Sequence, residues 1–192
     1  MWYVVQVATG REQTVCSLIE RAAHEHLKSG NGPILEECFS PTYQHERKFR
    51  GEYKLLTRSL FPGYVIAITK NVIELNNALR RVSAFTKILG NDKAFIPLDR
   101  AEIAFIDSFT AQKHRVIQTS RAVSEGDQIR VIEGPMIGHE AWIKKINRRK
   151  STAQIEMTMF GRTVTAEIGL AVVTKVQGRV AKKGNKACFA NH

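Results

Sequence analysis

Cysteine is scarce in this 192-residue chain, and Cys16, Cys38 and Cys188 show no Cys-x-x-Cys spacing. An odd number of unpaired cysteines argues against a disulfide framework and against a structural zinc site. The six histidines form no His-Glu-x-x-His motif. The sequence therefore favours a reducing compartment and predicts neither a metal nor a cofactor.

Long apolar runs are missing as well, and no segment approaches the roughly 18 apolar residues that a membrane span needs. The opening, MWYVVQVATGRE, lacks the basic start of a signal peptide. Carboxylates are scattered, and Asp127, Glu133 and Glu140 are expected in turns, so no cluster of acid, base or nucleophile groups indicates an enzyme. We expect a cytoplasmic, non-catalytic protein without membrane contacts.

Negative charge is the third deficit, since 29 Lys and Arg stand against 18 Asp and Glu, for a net charge of +11. Residues 1–110 carry 14 cations against 12 carboxylates, residues 111–175 carry 11 against 6, and residues 176–192 carry 4 against none. Such an excess favours an anionic partner. The C-terminal part is therefore the candidate for nucleic-acid binding.

Strand and helix patterns alternate over the first 110 residues. WYVVQVA, at residues 2–8, is typical of a buried strand, and a helix is predicted over residues 10–29 with Thr9 as its N-cap. Asn71 is predicted to cap a helix, Asp99 and Glu102 form a capping-box pattern, and Arg50-Gly51 is expected at the turn of a hairpin. Further strands, a hairpin and helices are predicted at residues 34–40, 42–59, 64–69, 71–81 and 99–109. This order predicts an α+β domain, with helices packed on an antiparallel sheet.

The pattern changes after residue 110. Residues 111–122 are predicted to be a linker, and residues 177–192 a basic, disordered tail. Between them, residues 123–176 contain five short strand-like pieces: GDQIRVIEGP, EAWIKKIN, TAQIEMTMF, GRTVTAEIG and LAVVTKV. Five short strands without a helical pattern predict a small β-barrel, which closes its sheet edges.

Five cations follow a Gly-Pro-Gly turn in IEGPMIGHEAWIKKINRRK: Lys144, Lys145, Arg148, Arg149 and Lys150. Ile143 and Ile146 break the strand period of two, and a β-bulge between them would turn both lysines outward. A solvated, self-repelling loop is one interpretation of such a run. The lack of acidic residues between positions 141 and 154 favours the other, a nucleic-acid contact.

The segment RSLFPGYVIA places Phe61 and Tyr64 around the rigid Pro62-Gly63 bend. Either both rings fill the core, or they form a shallow apolar pocket with Trp2 or Tyr3. Exposed aromatic surfaces of the second kind serve as protein-docking sites.

Five segments occur in one order: WYVVQVATGRE, FSPTYQ, LFPGYV, GDQIRVIEGPMIGHEAWIKKIN and MFGRTVTAEI. Together they resemble the NusG family of transcription elongation factors, and the resemblance covers nearly the whole chain except the tail. It implies an NGN domain, an α/β sandwich with an antiparallel sheet, over residues 1–110. A five-stranded, SH3-like KOW barrel would follow over residues 123–176.

The resemblance also implies partners. The NGN domain of such proteins docks on the clamp helices of bacterial RNA polymerase, and a contact with non-template DNA and a monomeric state are expected here. The polymerase-binding residues that it implies are Trp2, Tyr3, Gly10, Arg11, Phe61, Pro62 and Tyr64.

The barrel departs from the housekeeping pattern of the family. Ala141 and Trp142 stand where glycine and a small residue are common, and Lys144-Lys145 stand where acidic residues are common. These changes resemble the specialised LoaP-type paralogs and imply binding to structured nascent RNA, such as a hairpin. The implied RNA-binding residues are Lys144, Lys145, Arg148, Arg149, Lys150, His139 and Arg162. The alternatives are a housekeeping factor whose KOW domain binds Rho or a ribosomal protein, and a KOW-containing RNA scaffold.

Overall fold

The computed structural model describes residues 1–91, 94–110, 115–126 and 128–173. The predicted basic tail and Cys188 lie outside these residues. The described chain forms an N-terminal α+β domain and a C-terminal β-domain, as the sequence predicted. None of the described helices has the length and apolar character needed to cross a membrane.

A four-stranded antiparallel sheet forms the centre of the N-terminal domain, in the order β2-β5-β1-β6. Its strands are β1 (Trp2–Val7), β2 (Glu37–Phe39), β5 (Tyr64–Ile68) and β6 (Thr86–Ile88). Side chains alternate across β1, so Tyr3, Val5 and Val7 pack in one apolar cluster and Val4 in another. The first cluster contains side chains of helices α1 (Glu12–Lys28) and α2 (Val72–Leu79), and the second contains those of α3 (Arg100–Phe109).

Two of the three helix starts follow the sequence prediction. The Asn71 side chain accepts a hydrogen bond from the backbone N–H of Glu74, and Asp99 and Glu102 form the complete capping box. The prediction of Thr9 as the cap of α1 is wrong, because the helix begins at Glu12 after Arg11, which makes no side-chain capping bond.

The predicted hairpin is confirmed. It consists of β3 (Thr42–Phe49) and β4 (Glu52–Ser59), which pair antiparallel along their full length. Arg50 and Gly51 both have positive φ, 50° and 89°, as a two-residue type I′ turn requires. The short strand β7 (Val116–Ile117) adds to β3 in parallel and completes a three-stranded sheet.

The C-terminal domain is a five-stranded sheet in the order β10-β11-β12-β8-β9, which curls into a small barrel. Its strands are β8 (Ser120–Glu125), β9 (Gln128–Glu133), β10 (Ile143–Asn147), β11 (Thr152–Met159) and β12 (Arg162–Val173). The last two predicted pieces therefore form one strand of 12 residues. The remaining strand, β8, begins inside the predicted linker, because Ser120–Val123 pair in parallel with Leu170–Val173.

The barrel packs directly on the N-terminal domain. The backbone of Gly169 in β12 lies so close to β3 that a Cβ atom there would be 1.9 Å from the carbonyl oxygen of Gln44. The Thr119 hydroxyl donates a hydrogen bond of 2.8 Å to the same oxygen. One apolar cluster contains Phe61 and Phe105 from the N-terminal domain and Met159 from the barrel. This docking determines which predicted site residues are accessible.

Candidate functional site

Three of the predicted docking aromatics share one face of the N-terminal sheet, and we call Trp2, Phe61 and Tyr64 the aromatic patch. All three pack in or against the same apolar cluster. Tyr3 does not belong to the patch, because it is 6% exposed and packs on the opposite face of β1. Of the other predicted docking residues, Gly10, Arg11 and Pro62 are exposed.

The turn between β11 and β12 covers the aromatic patch. The Phe160 ring lies edge-on to Phe61, with centroids 5.2 Å apart, and 5.4 Å from the Tyr64 ring. The Arg162 guanidinium donates a hydrogen bond of 2.8 Å to the Tyr64 hydroxyl. Phe61 is therefore only 3% exposed. The prediction of an exposed pocket is corrected for Phe61, which is buried under the barrel, whereas Trp2 and Tyr64 are half-buried.

Arg115, from the predicted linker, lies over the Trp2 end of the patch. Its guanidinium is 5.0 Å from the centroid of the Trp2 ring and 4.3 Å from that of Phe39. Ion pairs of 2.8 Å with Glu37 and Asp107 hold it there. No local sequence pattern signalled this residue, because its partners are contributed by β2 and α3.

Aromatic side chains from α3 and the barrel form a second contact area between the domains. The centroid of the Trp142 ring lies 5.8 Å from those of Phe105 and Phe109, and the centroid of the His139 ring lies 5.0 Å from that of Phe109. The Glu102 carboxylate, which also completes the capping box, accepts a hydrogen bond from the backbone N–H of Phe160. His139 and Arg162, both predicted to bind RNA, therefore lie at the domain interface.

Glu12 fixes the bend that presents Phe61 and Tyr64. Its carboxylate accepts hydrogen bonds from the backbone N–H groups of Gly63, at 2.7 Å, and Gly10, at 3.0 Å. Burial would raise the pKa of Glu12, but these backbone hydrogen bonds outweigh burial and lower it.

We expect Glu12→Ala to reduce the free energy of unfolding by about 1–3 kcal/mol, because the N–H of Gly63 loses its buried acceptor. Glu12→Gln keeps an acceptor oxygen, so its free energy of unfolding should fall by less. Urea denaturation of the three proteins measures this difference. Equal stability of Glu12→Ala and the wild type would show that the bend does not depend on this carboxylate.

The five clustered cations of the barrel, Lys144, Lys145, Arg148, Arg149 and Lys150, form what we call the basic turn. All five are exposed. The predicted bulge is confirmed, since the strand register shifts between Ile143 and Lys145. The turn is ordered by Asn147, whose side-chain and backbone oxygens both accept a hydrogen bond from the backbone N–H of Lys150.

One carboxylate approaches the basic turn. Lys144 Nζ lies 3.7 Å from Glu156 Oε2, and the two side chains are 54% and 45% exposed. An exposed pair of this kind contributes little stability. Among the described residues, no carboxylate lies within 4.0 Å of the other four cations. The basic turn therefore keeps most of its charge.

A polar cluster that the sequence did not reveal joins β3 to the barrel. Tyr43 donates a hydrogen bond of 2.8 Å to one oxygen of Glu167, and Thr152 donates one of 2.7 Å to the other. Burial raises the pKa of Tyr43, and the bond to Glu167 adds to the increase. Burial would also raise the pKa of Glu167, but the hydrogen bonds from Thr152 and Tyr43 outweigh it and lower that pKa.

Acidification should remove the contribution of Glu167 to stability. Because its folded-state pKa is below its ordinary value of 4.5, that contribution is complete above this value and disappears as the pH falls through the folded pKa. We expect the free energy of unfolding of the wild type to exceed that of Glu167→Gln by about 1 kcal/mol at neutral pH. Thermal unfolding of both proteins should show this difference shrinking at acidic pH. A constant difference would contradict the assignment.

The described residues contain no group of three or more His, Cys, Asp or Glu side chains that could hold a metal ion. Cys16 and Cys38 are buried free thiols. A hydrogen bond with Cys16, together with burial, raises the pKa of Cys38 well above its ordinary value. A thiol in this state is a poor nucleophile.

Known proteins resemble this chain in sequence and in fold. The family model described as transcription termination factor NusG matches residues 1–107, and the KOW motif matches residues 125–156. The Helicobacter pylori (strain J99) transcription termination/antitermination protein NusG is 27% identical over 180 residues, which cover 91% of this chain and 98% of that protein. The Pseudomonas aeruginosa protein of the same name is 28% identical over 179 residues, with the same coverage.

A solved structure concerned with the domain interaction in Thermotoga maritima NusG superposes with a TM-score of 0.50 at 20% identity. It covers 88% of this chain and 92% of that one, and it supports the fold. The family model spans more than half of the chain. The chain therefore belongs to the NusG family of transcription termination/antitermination factors.

Proposed function

We propose that this chain is a specialised NusG-type elongation and antitermination factor of the LoaP kind. It binds structured nascent RNA through the basic turn and docks on the RNA polymerase clamp helices through the aromatic patch. The observation that carries the proposal is the basic turn itself. Five exposed cations stand on a bulged strand and an ordered turn, and four of them have no carboxylate within 4.0 Å among the described residues.

Structured RNA suits this surface chemically. A-form helices are recognised largely by shape and by contacts to phosphates and 2′-hydroxyl groups, which Lys and Arg side chains supply. Arg148 and Arg149 can also bind a guanine in bidentate fashion where a loop or bulge exposes its edge. Strand β10 and the hydrogen-bonded turn after it already hold the backbone that carries these side chains, so less conformational entropy is lost on binding.

Polymerase docking requires the barrel to move. Phe61 and Tyr64 lie beneath Phe160 and Arg162, so the patch becomes available only when the domains separate. The domain contact then acts as a competitor of the polymerase for the same aromatic surface. Contact with non-template DNA and a monomeric state stay predictions.

A housekeeping NusG function is the second candidate, because proteins with the plain NusG name match over 91% of this chain and 98% of their own length. In that case the KOW domain would bind a protein partner, and the basic turn would be a solvated surface. The two candidates differ in whether activity requires an RNA signal.

Transcription in vitro separates them. Read-through of a terminator is measured on templates with and without a sequence upstream that encodes an RNA hairpin, called here the leader. A specialised factor should increase read-through only when the leader is transcribed, and Tyr64→Ala should abolish the increase. Equal stimulation with and without the leader would favour the housekeeping function.

A further inference from the structure

A wide groove runs between the N-terminal hairpin and the barrel, with a volume of about 1000 Å³. Arg47, Lys48 and Tyr53 of the hairpin form one wall. Arg148, Arg149 and Lys150 of the basic turn line the other wall. Both domains thus contribute cationic side chains to one surface.

The two walls are held in register by a buried side chain. His45, only 3% exposed in strand β3, makes a hydrogen bond of 3.0 Å through Nδ1 to the carbonyl oxygen of Lys150. The hairpin strand is therefore bonded directly to the basic turn. The close backbone contact between Gly169 and Gln44 holds β12 of the barrel against the same hairpin strand. The groove exists because the domains are docked.

The charge of the groove selects an anion. Among the described residues that line it, six are Lys or Arg and Glu46 is the one carboxylate. Arg121 has a partner in Glu133 at 3.8 Å, but both side chains are mostly exposed. In the sequence, residues 174–192 carry five further cations and no carboxylate. Like-charge repulsion opposes occupation of the groove by this segment.

Exposed aromatic rings accompany these cations. Tyr53, which lines the groove, is 67% exposed, and nearby Phe49 is 52% exposed. Arg50 and Lys54 lie 5.4 Å and 5.3 Å from the centroid of the Phe49 ring. Phe49 lies outside the described groove lining, so the groove combines a basic path with one exposed ring, Tyr53. A basic path with an aromatic ring for stacking is the arrangement that binds single-stranded nucleic acid. A duplex offers no unstacked base to such a ring.

We propose that this groove binds a single-stranded RNA segment, with a base stacked on Tyr53 and phosphates along Arg47, Lys48, Arg148 and Arg149. The inference rests on the proposed function, in which the basic turn binds a structured RNA. It adds that the N-terminal hairpin binds the strand that flanks that structure. It also requires the docked arrangement of the two domains, so it concerns RNA binding before the polymerase separates them.

The test compares three RNA probes on the full chain by fluorescence anisotropy: a blunt hairpin, the same hairpin with a short single-stranded extension, and the single strand alone. The extension should increase wild-type affinity on the order of 10-fold, which is within the range for stacking one base on an aromatic ring. Tyr53→Ala should lose this gain and leave affinity for the blunt hairpin unchanged. Tyr53→Phe should keep the gain.

Two control variants accompany the test, and circular dichroism confirms that each protein is folded. Leu55→Ala removes an exposed hairpin side chain outside the groove lining, and Lys87→Ala removes an exposed cation elsewhere. Both should bind all three probes as the wild type does.

The outcomes separate the two proposals. If the extension adds nothing while the blunt hairpin still binds through the basic turn, the groove inference is overturned and the proposed function stands. If the blunt hairpin does not bind at all, the proposed function is overturned as well. Equal gain from a DNA extension would overturn the assignment of RNA to the groove.

Discussion

Gly169→Ala is expected to release the barrel from the N-terminal domain and to increase polymerase binding. The new Cβ would lie 1.9 Å from the Gln44 carbonyl oxygen and 2.9 Å from Thr119 Oγ1. Overpacking of this kind costs about 1–3 kcal/mol. If that cost falls on the docked state alone, the population of the separated state rises roughly 5- to 150-fold relative to the docked state. The affinity for the polymerase, which binds the separated state, should rise with that population.

Tryptophan fluorescence reports the same event, because Trp142 is half-buried against Phe105 and Phe109 in the docked state. Release of the barrel exposes Trp142 to water and should shift its fluorescence emission to longer wavelengths. Gly32→Ala is the matched control, since a Cβ at Gly32 meets nothing within 4 Å. A folded Gly169→Ala protein with wild-type emission and wild-type polymerase affinity would show that the barrel does not limit access to the aromatic patch.

The second large effect is expected from replacing Lys144, Lys145, Arg148 and Arg149 by alanine together. Affinity for an RNA hairpin should fall on the order of 100-fold or more, because several phosphate contacts disappear at once. The dependence of affinity on salt should weaken in the same variant, since fewer counterions are released. Polymerase binding should be unchanged, because none of the four side chains touches the aromatic patch. Filter binding at several salt concentrations measures both quantities.

A charge-matched variant controls for net charge. Replacing Arg21, Lys28, Arg80 and Lys87 by alanine also removes four exposed cations, but these lie outside the barrel. This control should lose little RNA affinity. An equal loss in both quadruple variants would show that the overall charge of +11, and not the basic turn, attracts RNA.

Apart from the Thr9 cap, the local sequence patterns named here predicted the local structure correctly. The capping box of Asp99 and Glu102, the Asn71 cap, the Arg50-Gly51 hairpin turn and the bulge before Lys145 all occur as expected. Each depends on residues a few positions apart, so backbone geometry and short-range hydrogen bonds decide them. The period of two also separates Trp2 from Tyr3, and applying it would have excluded Tyr3 from the aromatic patch.

Long-range contacts account for what the sequence did not predict. Tyr43 and Glu167 are 124 positions apart, and Tyr64 and Arg162 are 98 apart. Nothing in the local pattern of either segment specifies such a partner. The strand β8 was missed for a related reason, because its pairing with β12 is parallel and depends on distant residues. The docking of the barrel over the aromatic patch is the sum of these contacts.

The most direct test of RNA binding by the basic turn is the affinity of the wild-type chain for a blunt RNA hairpin over a range of salt concentrations. Each contacted phosphate contributes about −0.7 to −0.9 to the slope of log affinity against log salt. Engagement of four or five cations therefore predicts a slope of roughly −3 to −4.5. A slope near zero, or no binding at low salt, would contradict the account.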